Sequence, residues 1–276
     1  MNTTVKRTIF GVLFLVVMIG GFIFNGYLYG ILLLFMVVGM MHEFYAMTLG
    51  SKHRLPRVLS VLLAVGLFCG MYSVCAFGLA YKYVALNAIL LLGIMISTMF
   101  EEDKMDFRST AYLYTGLLYI AIPLSLSNLI VFRTGSFDGL IMLAFFVIIW
   151  SSDVGAYCLG MLLGQKIWPA KMCPSISPKK SWAGFVGGLL LAVVGAVVLY
   201  YTKLFTFPLV HCIVLSIIMH VAGVCGDLYE SQWKRSFDVK DSGHIIPGHG
   251  GLMDRFDSAL FAIPTGVLYL VINGLM

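Results

Sequence analysis

Charge is what this sequence has least of. Thirteen acidic and 18 basic residues make up 11% of the 276-residue chain, whereas soluble domains average about 25%. That scarcity excludes an ordinary soluble fold. The net charge of +5 is too small and too scattered for a nucleic-acid surface, and no basic stretch is interleaved with aromatics; no nucleic-acid partner is expected. Cysteine is also sparse in pattern. Cys69, Cys75, Cys158, Cys173, Cys212 and Cys225 fall mostly inside apolar runs with no CxxC spacing, which argues against a disulfide framework or a zinc ribbon and for small buried hydrophobes. Fixed-period repeats and low-complexity linkers are missing too, so neither a solenoid nor a string of domains is expected.

What remains is apolar: 60% of residues are hydrophobic and the mean hydropathy is +0.96. A membrane-spanning helix needs about 20 mostly apolar residues. Nine such runs are found, at 8–24, 27–49, 58–80, 83–100, 111–132, 139–163, 184–202, 208–230 and 255–275. The first follows Met1–Arg7 without a small-residue cleavage site and reads as a retained helix, not a signal peptide. The expected fold is an all-α integral membrane protein. Residues 1–110 would form N-terminal helices that are structural, dimer-forming or lipid-facing, and 111–276 a catalytic region. With the N-terminus inside, Lys6, Arg7, Lys52, Arg54, Arg57, Lys104, Arg108, Lys166, Lys171, Lys179, Lys180, Lys234, Arg235, Lys240 and Arg255 share the cytoplasmic side. Lys82, Arg133 and Lys203 lie opposite. Fifteen of the 18 cations on one side is the positive-inside pattern.

One polar stretch interrupts the apolar sequence. "SFDVKDSGHIIPGHGGLMDRFDS", residues 236–258, holds four aspartates, two histidines and four glycines, and the orientation above puts it in the cytoplasm. A glycine-rich loop entering a helix presents unpaired N–H groups and a positive dipole end, which suits phosphate. Carboxylates beside phosphate require an intervening cation. Asp227, Asp254 and Asp257 are therefore expected to bind a hard, oxygen-seeking ion such as Mg²⁺. His249 has no partner at zinc spacing. If the eighth helix continues past 230, Asp227, Glu230, Ser231 and Lys234 line one face. Carboxylates within spans usually face a protein-lined cavity; Asp153 in "WSSDVGAYCLG" is such a group, while Glu43 lies near enough to a helix end to snorkel. Glu101, Glu102, Asp103 and Asp106 read as a solvated loop, and Asp138 as a helix-start carboxylate. Lys234, Arg235, Lys240, Arg255, Lys179 and Lys180 supply clamps for a polyphosphate. Metal, positive charge and no covalent nucleophile together describe phosphoryl or nucleotidyl transfer.

"SQWKRSFDVKDSGHIIPGHGGLMDRFD", residues 231–257, resembles the signature of the phosphatidate cytidylyltransferases, or CDP-diacylglycerol synthases. Ser231, Lys234, Arg235, Lys240, Asp241, His249, Gly250, Gly251, Asp254, Arg255 and Asp257 fall in register. "SSDVGAYCLGMLLG" and "ISPKKSWAGFVGG" are more loosely similar to that family's Asp-x-x-Ala-Tyr and Ser-Pro-Lys-Lys segments. Ala183 stands where a glutamate is expected, which removes a carboxylate. Trp233 replaces an aliphatic residue, a packing change. The resemblance implies condensation of CTP with phosphatidate to CDP-diacylglycerol and pyrophosphate, with Mg²⁺ and a possible second cation such as K⁺. It implies a homodimer in the bacterial plasma (inner) membrane. Its expected catalytic residues are Lys234, Arg235, Lys240, Asp241, Arg255 and Asp257. Ser231, Lys179, Lys180, His249, Gly250, Gly251 and Asp153 would contact substrate, and Asp227, Asp254 and Asp257 metal. A CTP-dependent lipid alcohol kinase, releasing CDP, is the alternative within enzymes. An ion-coupled transporter is the alternative outside them, although the gathering of charge at one face argues against it.

Overall fold

The computed structural model of the chain describes residues 3–100, 107–164, 167–243, 245 and 250–276. The described residues are mostly helical. We label the helices α1 (Thr3–Ile23), α2 (Gly26–Leu49), α3 (Arg54–Phe77), α4 (Lys82–Phe100), α5 (Phe107–Val131), α6 (Gly139–Leu162), α7 (Trp182–Tyr201), α8 (Leu209–Ser236) and α9 (Met253–Ile272). Among the described residues eight of these, α2 to α9, are long and apolar enough to cross a membrane. The apolar part of α1, Thr8–Ile23, is shorter. The chain is an integral membrane protein, and exposed Val16, Ile31, Phe35, Ile89 and Leu92 are what a lipid-facing surface requires.

An all-helical expectation misses one element. Strands β1 (Lys171–Cys173) and β2 (Ser177–Ser181) form an antiparallel hairpin in which Lys171 pairs with Ser181 and Cys173 with Ser177. Serine, proline and lysine have little strand propensity, so the sequence carries no strand signal there.

The chain divides into two compact units, Met1–Gly139 with Asp241–Arg255, and Leu140–Lys240 with Phe256–Met276. In the first, α2 packs against α1, α3 and α5. Asn25 caps its N-terminus through the Leu28 N–H at 2.9 Å. Its buried tyrosines reach α5: the Tyr29 hydroxyl lies 2.6 Å from Ser127 Oγ, and the Tyr45 hydroxyl donates to the Leu113 carbonyl at 2.7 Å. α5 widens into a π-turn at Leu117–Ala121, just before Pro123. A proline inside a helix lacks an N–H and clashes with the preceding turn, and the wider turn absorbs both defects. The second unit packs α7 and α9 against α8. α9 is interrupted at Asp257 and Ser258 between Met253–Phe256 and Ala259–Ile272.

Candidate functional site

The second unit assembles a cleft from small residues outward. Where α6 meets α7, a Cβ on Gly155 would lie 2.3 Å from the Gly187 carbonyl oxygen, and one on Gly187 2.5 Å from that of Gly155. Only glycine permits this backbone contact between apolar helices. Ser152 Oγ, 2.8 Å from His220 Nδ1, ties α6 to α8, and the imidazole sits 4.7 Å from the Phe185 ring. Ser181 ends β2 and caps α7, accepting the Gly184 N–H at 3.2 Å. Hairpin, α6 and α8 are thereby fixed around a cavity of about 210 Å³ lined by Asp153, Tyr157, Lys179, Lys180, Asp227 and Ser258, among others.

Its charge is organised by pairs. Lys180 Nζ makes an ion pair with Asp227 Oδ2. α8 does continue past residue 230, so Asp227, Glu230, Ser231 and Lys234 share a face as expected. Ser231 Oγ lies 3.5 Å from Asp227 Oδ1, and Lys234 Nζ 2.9 Å from Oε2 of the fully buried Glu230. Asp257 accepts the Ser258 N–H at 2.6 Å and lies within electrostatic reach of Asp227, Glu230 and Asp153. Four carboxylates thus gather, and Lys180 and Lys234 pair with two of them, Asp227 and Glu230. Carboxylates brought this close favour a cation or a substrate that brings one. Among the described residues no three His, Cys, Asp or Glu side chains form a ready metal cage. Mg²⁺ is commonly bound by one or two carboxylates together with substrate phosphates, and the all-oxygen donor set fits that mode.

Carboxylates in the first unit are used differently. Glu43 is 3% exposed and does not snorkel. Its Oε1 accepts the Leu252 N–H at 2.9 Å, while Oε2 accepts the Met253 N–H at 2.9 Å and the Ser242 hydroxyl at 3.2 Å. Asp254 Oδ2 accepts the Ser242 and Gly251 N–H groups at 2.9 and 2.8 Å and lies 3.0 Å from Ser242 Oγ. Together the two side chains clamp the polar loop to α2 and to the start of α9. Gly250 and Gly251 serve this clamp. Gly250 has φ +84°, and a Cβ there would lie 2.7 Å from Asp254 Oδ2; one on Gly251 would lie 2.2 Å from Ser242 Oγ.

The residues singled out from sequence are therefore divided. Asp153, Lys179, Lys180, Asp227, Ser231, Lys234 and Asp257 gather in or beside the cleft of the second unit. Arg235, also in that unit, is exposed and donates to the Val239 carbonyl at 3.3 Å, and Lys240 is exposed. Gly250, Gly251 and Asp254 belong to the loop clamp, with Asp241 and Arg255 exposed at its two ends. His249 lies outside the described residues. The role of Glu43 was missed; its one sequence signal is a carboxylate inside an apolar helix. Ala183 is 2% exposed in the first turn of α7, packed as a small residue.

Carboxylates beside lysines in a helical membrane protein suit a ligand that brings a cation with its phosphates. The match to known sequences narrows that reading. Residues 5–273 match the model of the cytidylyltransferase family, and the chain belongs to that family. It is similar to the phosphatidate cytidylyltransferase of Bacillus subtilis, 37% identical over 191 residues covering 68% of this chain and 67% of that one. It is also similar to the proteins of the same name from Rickettsia bellii, 35% identical over 68% of this chain and 80% of that one, and Staphylococcus saprophyticus, 38% identical over 60% and 61%.

Proposed function

We propose that this chain condenses CTP with phosphatidate, releasing pyrophosphate and leaving CDP-diacylglycerol in the bilayer. The observation that carries the reading is the gathering of Asp153, Asp227, Glu230 and Asp257 with Lys180 and Lys234 in one membrane-protein unit; the names of the relatives agree with it. A phosphate oxygen of phosphatidate attacks the α-phosphorus of CTP. The new P–O bond forms as the α–β bridging P–O bond breaks, and its electron pair leaves with pyrophosphate. The attacking oxygen is already anionic at neutral pH, so no strong general base is needed.

Asp227 and Asp257 would hold Mg²⁺ against the nucleotide phosphates. When bound, that ion neutralises charge on the transferring and leaving oxygens. A second cation such as K⁺ is part of the same proposal. Lys180 and Lys234 exchange carboxylate partners for phosphate oxygens, with Lys179, Arg235, Lys240 and Arg255 as further counter-charges and Ser231 and Asp153 as contacts to substrate. Gly250 and Gly251 shape the loop, and Asp254 braces it. Fifteen of the 18 cations argue for a cytoplasmic N-terminus and a site facing the cytoplasm of a bacterial plasma membrane. The N-terminal helices are proposed to support a homodimer.

The test is purified whole chain with CTP, phosphatidate and Mg²⁺, followed by pyrophosphate release and mass spectrometry of the lipid. A CMP-bearing lipid with equimolar pyrophosphate is expected. Transfer of the γ-phosphoryl group of CTP to a lipid alcohol, releasing CDP and leaving no nucleotide on the lipid, overturns the reading in favour of a kinase.

A further inference from the structure

A second cleft, contained wholly in the first unit, has no part in the chemistry above. It occupies about 640 Å³ between the end of α2 and the start of α3, lined by His42, Ser51, Arg54, Arg57, Val58 and Leu62 among others. Among the described residues no acidic side chain lines it. Only residues 50–53 separate the two helices, so the cleft opens where two spans turn at the edge of the bilayer.

Arg54 and Arg57, three residues apart on one face, occupy the first turn of α3, which contains no acidic residue. Helix dipoles favour negative charge at this end and disfavour positive charge, and two like charges at this spacing repel. Arg57 donates one N–H to the carbonyl of Gly50, out of the five a guanidinium carries. That bond holds its charge at the cleft without neutralising it. Below these cations the wall is apolar: exposed Val58 and Leu62 follow on the same helix. Basic groups at the rim over an apolar wall match a phosphate head above an acyl chain.

We propose that this cleft binds an anionic glycerophospholipid of the surrounding bilayer. The phosphate lies between His42, Arg54 and Arg57, and a chain rests on Val58 and Leu62. The inference rests on the membrane-spanning character of α2 and α3 and not on cytidylyl transfer.

The whole chain, purified in detergent, is titrated with phosphatidylglycerol, phosphatidylcholine or glycerol 3-phosphate, and bound lipid is counted by native mass spectrometry. Wild type should retain phosphatidylglycerol over phosphatidylcholine. Arg54→Gln should weaken that retention about fivefold, the loss of one juxtamembrane cation, and Arg54→Lys should largely restore it. Arg54 is exposed, so its replacement leaves the fold intact; Arg57→Gln would also disturb the turn at Gly50 and serves only as a second variant. Equal retention of the two lipids, or unchanged phosphatidylglycerol binding in both Arg54→Gln and Arg57→Gln, overturns the proposal. Displacement by glycerol 3-phosphate at the same concentration as lipid would make this a site for soluble phosphate and overturn it equally.

Discussion

The two units use the same functional group in opposite ways. In the first, Glu43 and Asp254 are surrounded by donors: backbone N–H groups of Ser242, Gly251, Leu252 and Met253, and the Ser242 hydroxyl. In the second, Asp257 lies within electrostatic reach of Asp227, Glu230 and Asp153, and lysines pair with two of these, Lys180 with Asp227 and Lys234 with Glu230. Carboxylates satisfied by neutral amide donors hold shape. Carboxylates crowded against each other are a cost that a cation or a phosphate-bearing ligand relieves. Substitution should therefore separate the two regions into one that fails by losing activity and one that fails by losing structure.

The largest effect on turnover is expected at Asp227. Its side chain is 35% exposed, and its pair with Lys180 is correspondingly weak as a source of stability. Asp227→Asn should lower kcat/KM for CTP by on the order of 10²–10³-fold while the thermal unfolding midpoint moves little. A fall in the midpoint with turnover retained would place Asp227 with the structural carboxylates and end the contrast.

Glu43→Gln should do the reverse. One acceptor oxygen becomes an NH₂ group facing buried donors, at a cost of about 2–4 kcal/mol when two charge-assisted bonds are lost or reversed. Faster limited proteolysis at 241–253 and a lower unfolding midpoint are the readouts. Any loss of turnover should follow the loss of folded protein, and an inactive variant with a wild-type midpoint would make Glu43 part of the chemistry.

Much of this architecture was legible in advance because its signals are local. A run of some 20 apolar residues declares a span wherever it occurs, and the stripe from Asp227 to Lys234 needs only helical spacing to bring it to one face. Glu43 was opaque because its partners lie 199 to 210 residues away and two of its three donors are backbone N–H groups that any sequence could supply. The β-hairpin was opaque for another reason: the Ser-Pro-Lys-Lys-Ser of its second strand carries little strand propensity. Glycines in the polar loop suggested a phosphate seat, whereas Gly250 and Gly251 lie against Asp254 and Ser242. Glycine marks close approach without saying what approaches.

The hairpin also sharpens the comparison within the cleft. Consecutive strand residues point to opposite faces, so Lys179 and Lys180 are not equivalent. Lys180, 21% exposed and paired with Asp227, should matter more than exposed Lys179. Lys180→Gln is expected to lower kcat/KM by about 10²-fold and Lys179→Gln by about tenfold or less. Equal losses would mean that both meet the triphosphate.

The smallest effect belongs to Ser231. Its hydroxyl is 3.5 Å from Asp227 Oδ1, at the limit of a useful hydrogen bond, so it does little to orient the carboxylate. Ser231→Ala should reduce turnover by less than about fivefold, consistent with losing one neutral hydrogen bond of about 1 kcal/mol, and leave KM for phosphatidate unchanged. A loss comparable to that of Asp227→Asn would require the hydroxyl to meet substrate or metal directly. Because removing the hydroxyl does not alter the charge of the cleft, steady-state assays at low and high salt distinguish that role: a direct contact gives the same fold-loss in both, whereas an effect transmitted through the Asp227 and Lys180 charges shrinks as they are screened.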